Sequence, residues 1–439
     1  MPAALGMMMP ARTAYPPTAF PGLEAWYAAP PRGVDPAAYV QLVKPAVVSP
    51  GDMTVAPWTL SHSTIVAAGT SPAGDPAFRL TEVGDGASVL SYYVRQILPV
   101  DEQVLSTSGD RVTVMTVDVN GGTRGFCWVW IGHDRMGYYD LTTGQTNSSG
   151  APSAVATMVA LGGGWWRCRL VADHMQDASI TIGLSDALLV IYYVVPVGAG
   201  KYIDVANMTI EQDGTCSIIR DLSGNGNDAP QASNGRRLWY RGALEQDWGA
   251  DPIPSIANMV GGSGTGQISP APAGLLAALS GLNQPWEGIA LVKTYVYPPI
   301  NNNIVVSFGG LTATSINQSL LIIEFGHATA APYNTWITYW TDGSVGGSNY
   351  FTGVVPAGTQ ILSSAFSGAV VTQRHGSPPL VAYTGAMNET VAFNLTSLYL
   401  LQEYAAGDTS AFREIAIFSR VLTDGERAAV MAGMLARAV

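Results

Sequence analysis

The sequence predicts an all-β protein with two tandem β-sandwich (jelly-roll) domains, an extended N-terminal arm and one C-terminal helix. Charged residues make up only 12% of the 439 residues, whereas hydrophobic residues make up 47%. Turn-forming residues are abundant, with 49 Gly and 28 Pro. Short segments rich in β-branched and aromatic residues lie between these turns, which is typical of sandwich strands.

Composition also excludes several classes of partner. The net charge of −11 argues against a nucleic-acid partner, because phosphate binding requires a basic surface. Cys127, Cys168 and Cys216 are widely spaced and odd in number, so we interpret them as buried apolar residues rather than as disulfides or metal ligands. No apolar run is long enough to span a membrane, and the first residues lack the pattern of a secretory signal.

The first segment, residues 1–56, is predicted to be an extended arm. Residues 1–50 contain ten prolines, and proline removes backbone donors from a sheet. The segment is nevertheless apolar, with Met7, Met8, Met9, Phe20, Leu23, Trp26 and Tyr27. Because disordered tails are usually polar, we expect this arm to dock on a partner.

Residues 57–214 are predicted to form the first sandwich. Its strands include SVLSYYVRQI, RVTVMTVDV, GFCWVWIG, GWWRCRLVA and ASITIGL. In GFCWVWIG, alternation places Trp128 and Trp130 on one face, with Cys127 and Val129 on the other. Both faces are apolar, so this strand is expected to be buried between two layers.

The second sandwich is predicted over residues 215–439 and opens with the polar stretch RDLSGNGND (220–228). Its Gly, Asn and Asp residues suit tight turns, so we interpret it as a surface loop at the seam between domains. At the other end, Thr423 and Glu426 have the spacing of a capping box. An apolar face at helical spacing follows, which predicts a helix from about 424 to 437.

Two groups of motifs resemble known families. YYDLTTGQT (138–146), GGGWWRCRLVAD (162–173) and GKYIDVANMTIEQDG (200–214) resemble, in that order, a carbohydrate-binding-like jelly-roll module. This module occurs in structural proteins of tailed phages and gene transfer agents. DLSGNGNDAPQ followed by FREIAIFSRVLTDGERAAVMAGML resembles concanavalin A-like, laminin-G-like lectin domains, in which the first motif is an entry loop and the second a last strand with its closing helix.

The resemblance implies a virion structural protein, a component of a head fibre, spike or tail fibre that binds host surface polysaccharide for adsorption. It further implies that the arm binds other virion proteins, that the chain forms a homo-oligomer, and that the particle carrying it on its surface is assembled in the host cytoplasm. Two alternatives stay open. One is a purely architectural virion protein without glycan binding, and the other is a capsule depolymerase.

We expect no enzymatic activity. Retaining glycosidases need two carboxylates about 5 Å apart, and no closely spaced pair is evident along the strands. The five histidines lack metal spacing, and there is no nucleophile elbow or phosphate-binding loop.

Sugar binding is the remaining chemistry, because aromatic faces stack on sugar rings beside amides and carboxylates. The candidate ligand-binding residues lie at loop edges: Tyr138, Tyr139, Asp140, Trp340, Asp342, Asn349 and Tyr350.

No metal or other cofactor is expected, with Ca²⁺ as the alternative. The stretch from Asp221 mimics the first half of an EF-hand loop, but Ala232 occupies the twelfth position, where that loop needs Glu. The weak metal candidates are Asp221, Asn225, Asn227 and Asp228.

Overall fold

The computed structural model describes most of the chain. The described residues are 20–31, 33–44, 47, 51–84, 92–98, 113–132, 135–149, 154–172, 179–189, 200–212, 214–231, 237–242, 254–258, 266–281, 284–294, 303–308, 311–312, 315–316, 319–325, 336–341, 346–351, 358–368, 370–375, 381–386, 395–403 and 410–437.

Most of these residues form short strands. The first group is β1 (Leu23–Ala28), β2 (Val40–Val43), β3 (Trp58–Ser61), β4 (Ser63–Thr70), β5 (Pro76–Glu82), β6 (Tyr93–Ile97), β7 (Thr113–Asn120), β8 (Phe126–Ile131), β9 (Arg135–Asp140), β10 (Thr146–Ser149), β11 (Ala154–Gly162), β12 (Trp165–Ala172), β13 (Ser179–Ser185), β14 (Tyr202–Gln212) and β15 (Thr215–Ile219). A 3-10 turn, Pro36–Ala38, precedes β2.

The second group of elements follows the polar loop 220–228. It comprises β16 (Ala229–Pro230), β17 (Trp239–Arg241), β18 (Ser255–Asn258), β19 (Gln267–Ile268), α1 (Ala273–Leu279), β20 (Trp286–Thr294), β21 (Asn303–Phe308), β22 (Leu311–Thr312), β23 (Ser315–Ile316), β24 (Ser319–Phe325), β25 (Trp336–Thr341), β26 (Gly346–Phe351), β27 (Gly358–Phe366), β28 (Val370–His375), β29 (Val381–Ala386), β30 (Leu398–Glu403), β31 (Ser410–Phe418) and α2 (Asp424–Arg437). Neither helix is long and apolar enough to cross a bilayer, as far as the described residues go.

The chain divides into two compact units. The central unit comprises Leu42–Cys216 and Trp239–Pro252, and the terminal unit comprises Met1–Gln41, Ser217–Leu238 and Ile253–Val439. The boundaries predicted from the sequence lie after residues 56 and 214 instead. The structure differs most at the first boundary, because it groups the first residues of the chain with the last ones.

The central unit is a sandwich of two six-stranded antiparallel sheets. We call the sheet β10-β9-β8-β13-β6-β3 the front sheet and β11-β12-β7-β14-β5-β4 the back sheet. Their facing side chains form one apolar core, to which β8 contributes Cys127, Val129 and Ile131. The predicted alternation of β8 is confirmed, because Trp128 and Trp130 lie in a separate cluster on the opposite face.

The terminal unit is also built from antiparallel sheets. One contains β18-β31-β20-β27-β28-β29, and the other is β19-β30-β21-β24-β25-β26. Helix α2 buries Val430, Met431 and Met434 against Ile289 of β20 and Phe418 of β31. The all-β sandwich class and the C-terminal helix are therefore confirmed.

Strand β1 corrects the prediction of an extended arm over residues 1–56. It pairs antiparallel with β31, from Leu23 against Phe418 to Ala28 against Glu414. The reason is local: LEAWYA contains no proline, so every residue of the segment keeps its backbone donor. Burying Ala25 and Tyr27 completely removes their apolar surface from water.

Helix α1 is a second difference, because no helix is predicted before the C-terminus. Its sequence, AGLLAAL, is made of good helix formers apart from Gly274, and Pro272 occupies the N-cap position. Leu275, Leu276 and Leu279 are buried, so packing stabilises a helix of only seven residues.

Candidate functional site

The polar loop 220–228 is a hydrogen-bonded structural element of the terminal unit. Asp221 accepts four hydrogen bonds: Oδ1 from the backbone N–H groups of Trp26 and Ser223, both at 2.9 Å, and Oδ2 from Ser223 Oγ at 2.7 Å and Asn227 N at 2.9 Å. This side chain therefore organises its own turn and holds the backbone of β1 at the same time.

Two asparagines of the loop complete the attachment to β1. Asn225 Nδ2 donates to Leu23 O at 2.7 Å, and Asn227 Nδ2 donates to Glu24 O at 2.8 Å. In return, Tyr27 donates its hydroxyl to Asn227 O at 2.7 Å. Burial, followed by the negative charges of Asp221 and Asp228, raises the pKa of Tyr27 well above its ordinary value, so the hydroxyl stays a donor.

The four weak metal candidates lie together in this loop, but protein groups already bond both carboxylate oxygens of Asp221 and Asp228 and the side-chain oxygen of Asn227. Asp228 accepts from Asp221 N at 2.8 Å and from Arg220 Nη1 at 3.0 Å. Asn227 Oδ1 accepts from Leu275 N at 3.1 Å. No group of three or more His, Cys, Asp or Glu suited to a metal is found in the described part of the chain.

Tyr138, Tyr139 and Asp140, the first candidate group for sugar binding, do not form a common surface. Tyr139 is fully buried in the sandwich core, and Tyr138 is only 6% exposed. Asp140 caps the following turn by accepting from Thr142 N at 2.8 Å and Thr143 Oγ1 at 2.6 Å. All three residues belong to β9 and alternate between its faces rather than lying at a loop edge. Their binding role stays a prediction.

Burial acts to raise the pKa of Asp140, but the hydrogen bonds from Thr143 and Thr142 outweigh it and lower the pKa below the ordinary carboxyl value. The charged carboxylate is thus held in the turn. Burial raises the pKa of Tyr138, with a smaller opposing effect of its hydrogen bond with Ser149, and its hydroxyl donates to Met136 Sδ at 3.4 Å.

The second candidate group lies on two neighbouring strands of the terminal unit. Trp340 of β25 pairs with Gly347 of β26. On the same pair of strands, Thr338 pairs with Asn349 and Ile337 with Tyr350. Asp342 lies outside the described residues. The binding role of these residues stays a prediction.

The structure instead brings an aromatic cluster together on the outer face of the front sheet. Strand pairing there defines two rows of side chains, which we call the aromatic face. The first row is Ser149–Met136–Trp130–Thr181–Arg95–Thr59, and the second is Asn147–Tyr138–Trp128–Gly183–Tyr93–Ser61. Neighbouring strands lie about 4.8 Å apart, so each row is a continuous band across the sheet.

Three rings of this face pack edge to face. The centroids of Tyr93 and Trp128 are 5.9 Å apart at 65°, and those of Trp128 and Trp130 have the same separation and angle. Trp128 is fully buried and donates its indole N–H to Leu184 O at 3.0 Å. Leu188 packs on the same cluster. Trp128 is therefore a fixed support between two outer rings.

The outer rings are the accessible part of the cluster. Tyr93 and Trp130 are half-buried, while Asn147 and Thr59 at the ends of the rows are exposed. The face thus combines rigid aromatic surface with hydroxyl and amide groups at its rim.

Gly183 makes this arrangement fit. A Cβ atom at Gly183 would lie 2.2 Å from Trp128 Cζ2, so only glycine allows the indole to lie across β13. The sequence predicts Trp128 and Trp130 on one face of a strand that is buried between two layers. Trp128 is fully buried, whereas Trp130 is half-buried.

Comparisons with known proteins give similarity to solved structures alone. No family model matches the chain, and no curated protein matches it. A carbohydrate-binding module (CBM40) of a Ruminococcus gnavus sialidase, bound to α2,3-sialyllactose, matches with 11% identity and a TM-score of 0.30, covering 40% of this chain and 95% of that one.

Two enzymes match over more of the chain. An arabinofuranosidase in complex with arabinofuranosyl-α-1,2-xylobiose has 13% identity and a TM-score of 0.36, over 73% of this chain and 60% of that one. A Trypanosoma rangeli sialidase has 11% identity and a TM-score of 0.33, over 84% and 52%. The prediction that this chain is not an enzyme is wrong as a conclusion from fold, because the similar structures include glycoside hydrolases.

Proposed function

We propose that the aromatic face of the central unit binds a polysaccharide. The observation that carries the proposal is the pair of half-buried rings, Tyr93 and Trp130, held in place by the buried Trp128. Rigid aromatic surfaces bury the apolar C–H faces of sugar rings at little entropic cost. The exposed Thr59 and Asn147 supply hydrogen-bonding groups for sugar hydroxyls.

The finer part of the proposal is a virion role. In it, the chain belongs to a head fibre, spike or tail fibre, and the aromatic face adsorbs the particle to host surface polysaccharide. Its support is the resemblance of the 138–146, 162–173 and 200–214 motifs to the jelly-roll module of phage structural proteins. Residues 1–19, which precede β1, take the role of binding other virion proteins, and the chain acts as a homo-oligomer on the particle surface.

Binding to host cells with and without their surface polysaccharide tests this function. The wild-type protein is expected to bind the cells that carry polysaccharide and to leave the stripped cells unbound. Trp130→Ala removes one of the two accessible rings and is expected to weaken binding roughly tenfold, which corresponds to about 1.4 kcal/mol.

The matched control is Trp165→Ala, which removes a half-buried tryptophan from β12 in the back sheet. This variant is expected to bind like the wild type. Equal loss in both variants, or equal binding of the wild type to both kinds of cell, would contradict the proposal.

Two other functions are outcomes of the same experiment. A protein that binds neither kind of cell but still assembles onto particles is the architectural alternative. New reducing ends that accumulate in the polysaccharide during incubation with the protein identify a depolymerase.

A further inference from the structure

Arg95 occupies a central position on the aromatic face. In the first row it lies beside Thr181, which in turn lies beside Trp130, and Thr59 flanks it on the other side. In the neighbouring row, Tyr93 is two residues away along the same strand, so both side chains leave β6 on the same face. Arg95 therefore leaves the sheet on the same face as the two accessible rings.

Arg95 differs in its contacts from Arg79 and Arg167 of the central unit, which both form ion pairs. Arg79 donates to both oxygens of Asp204, and Arg167 donates to both oxygens of Asp118. By contrast, the Nε atom of Arg95 is buried and has no hydrogen-bond partner among the residues that the structure describes. No ion pair of Arg95 occurs within the described residues.

Within the described part of the chain, neither row of this face places a carboxylate beside Arg95. None of the twelve positions in the two rows is Asp or Glu. Asp140, at the end of β9, is occupied by three hydrogen bonds from Thr142 and Thr143. The positive charge of Arg95 is therefore not offset by a carboxylate within these two rows.

The unpaired Nε donor of Arg95 is unfavourable, and the guanidinium of this half-buried residue is a planar fork that matches the two oxygens of a carboxylate. Tyr93 and Trp130, on the same face of the sheet, add aromatic surface for the sugar ring that carries the carboxylate. We infer that the polysaccharide bound by the aromatic face contains carboxylated sugars, with Arg95 holding the carboxylate. This inference rests on the proposed function.

The test compares carboxylated glycans with their neutral counterparts. The probes are polygalacturonate and polysialic acid, the same two polymers after chemical reduction of their carboxyl groups, and dextran and dextran sulfate as neutral and sulfated references. The wild-type protein is expected to bind at least one carboxylated polymer and to lose at least tenfold in affinity when its carboxyl groups are reduced. This comparison needs no variant, so it does not depend on how a substitution affects folding.

Arg95→Gln supplies the second arm. It is expected to weaken binding of the carboxylated polymer at least tenfold, with an unchanged melting temperature, and Arg95→Lys is expected to restore only part of the affinity because lysine lacks the planar fork. Equal affinity for the carboxylated and reduced polymers, tighter binding of dextran sulfate, or unchanged affinity of Arg95→Gln overturns the carboxylate inference and leaves the glycan-binding proposal standing. Binding of none of these polymers overturns the inference, while cell binding decides the proposed function separately.

Discussion

Two neighbouring tyrosines of β9 have opposite surroundings, so a shift of one position in a strand changes which cluster a side chain joins. Tyr139 faces the sandwich core, whereas Tyr138 faces the aromatic cluster beside Trp128. The period-2 alternation of a strand makes this separation predictable from sequence. The sequence could not predict which side chains pack against Tyr138, because these depend on which strands pair with β9.

Gly183 gives the first prediction at the residue scale. Gly183→Ala places a Cβ atom where the Trp128 indole lies, so the ring must shift and the cluster is overpacked. We expect a loss of roughly 1–3 kcal/mol in the free energy of unfolding, together with weaker polysaccharide binding because Trp128 supports Tyr93 and Trp130. Thermal unfolding of Gly51→Ala, where a Cβ meets no atom within 4 Å, is the control. Equal melting temperatures of the two variants would show that the ring tolerates displacement.

Asp221 gives the second prediction. Asp221→Asn replaces one of two carboxylate oxygens that each accept two hydrogen bonds, so the donors facing the new amide lose their acceptor. We expect roughly 1–3 kcal/mol of destabilisation in urea unfolding, because these donors are partly buried. Asp35→Asn, at an exposed cap that accepts only from Ala37 N, is expected to change stability by less than about 0.5 kcal/mol. Similar unfolding midpoints for both variants would refute the role of the loop in holding β1.

Among the elements, α2 is attached to the sheet by charged groups as well as by its apolar face. Arg427 donates to Glu287 through Nε at 2.6 Å and Nη2 at 3.0 Å, and both side chains are almost completely buried. Ser363 Oγ and Leu422 N also donate to Glu287. Every oxygen of this buried carboxylate is thereby hydrogen-bonded, which is the condition under which a buried ion pair is tolerated.

The N-terminus of α2 gives a pH prediction. Hydrogen bonds from Arg420 and then Thr423 lower the pKa of Glu426 from its ordinary 4.5 to about 2. A lowered carboxyl pKa contributes stability that is fully present above 4.5 and is lost as the pH falls through about 2. The melting temperature of Glu426→Gln is therefore expected to lie below that of the wild type at neutral pH, with the gap closing between these two pH values.

Glu211→Gln, an exposed position in β14, is the control for this series and is expected to follow the wild type across the same range. A gap between the wild type and Glu426→Gln that persists unchanged at pH 2 would contradict the assigned cap interaction.

Elements whose determinants are local are predictable from sequence, and α2 is the clearest case. Thr423 N donates to Glu426 Oε2 at 2.9 Å and Glu426 N donates to Thr423 Oγ1 at 3.3 Å, as the capping-box spacing predicts. Strand β1 is the opposite case. Its partner is β31, and Ser419 Oγ donates to Glu24 Oε1 across 395 positions of sequence. No local pattern encodes such a pairing. The proline-rich surroundings of β1 therefore lead to the prediction of an extended arm.

For the molecule as a whole, the sequence predicts the sandwich class because low charge, frequent turns and alternation act everywhere along the chain. It does not predict that the terminal unit is assembled from three separate segments. The candidate site is likewise predictable only in part. The aromatic residues of β8 are visible in the sequence, but the two rows exist only because β8, β13 and β6 are neighbours in the front sheet.

The central claim is that polysaccharide contacts the aromatic face, and fluorine NMR of protein labelled with 5-fluorotryptophan tests it most directly. The resonances of Trp130 and Trp165 are assigned with Trp130→Phe and Trp165→Phe, and polysaccharide purified from the host surface is then titrated in. The claim predicts that the Trp130 resonance shifts or broadens in a saturable manner, while the Trp165 resonance stays in place. A saturable change at Trp165 with none at Trp130, or no change at either tryptophan, would contradict it.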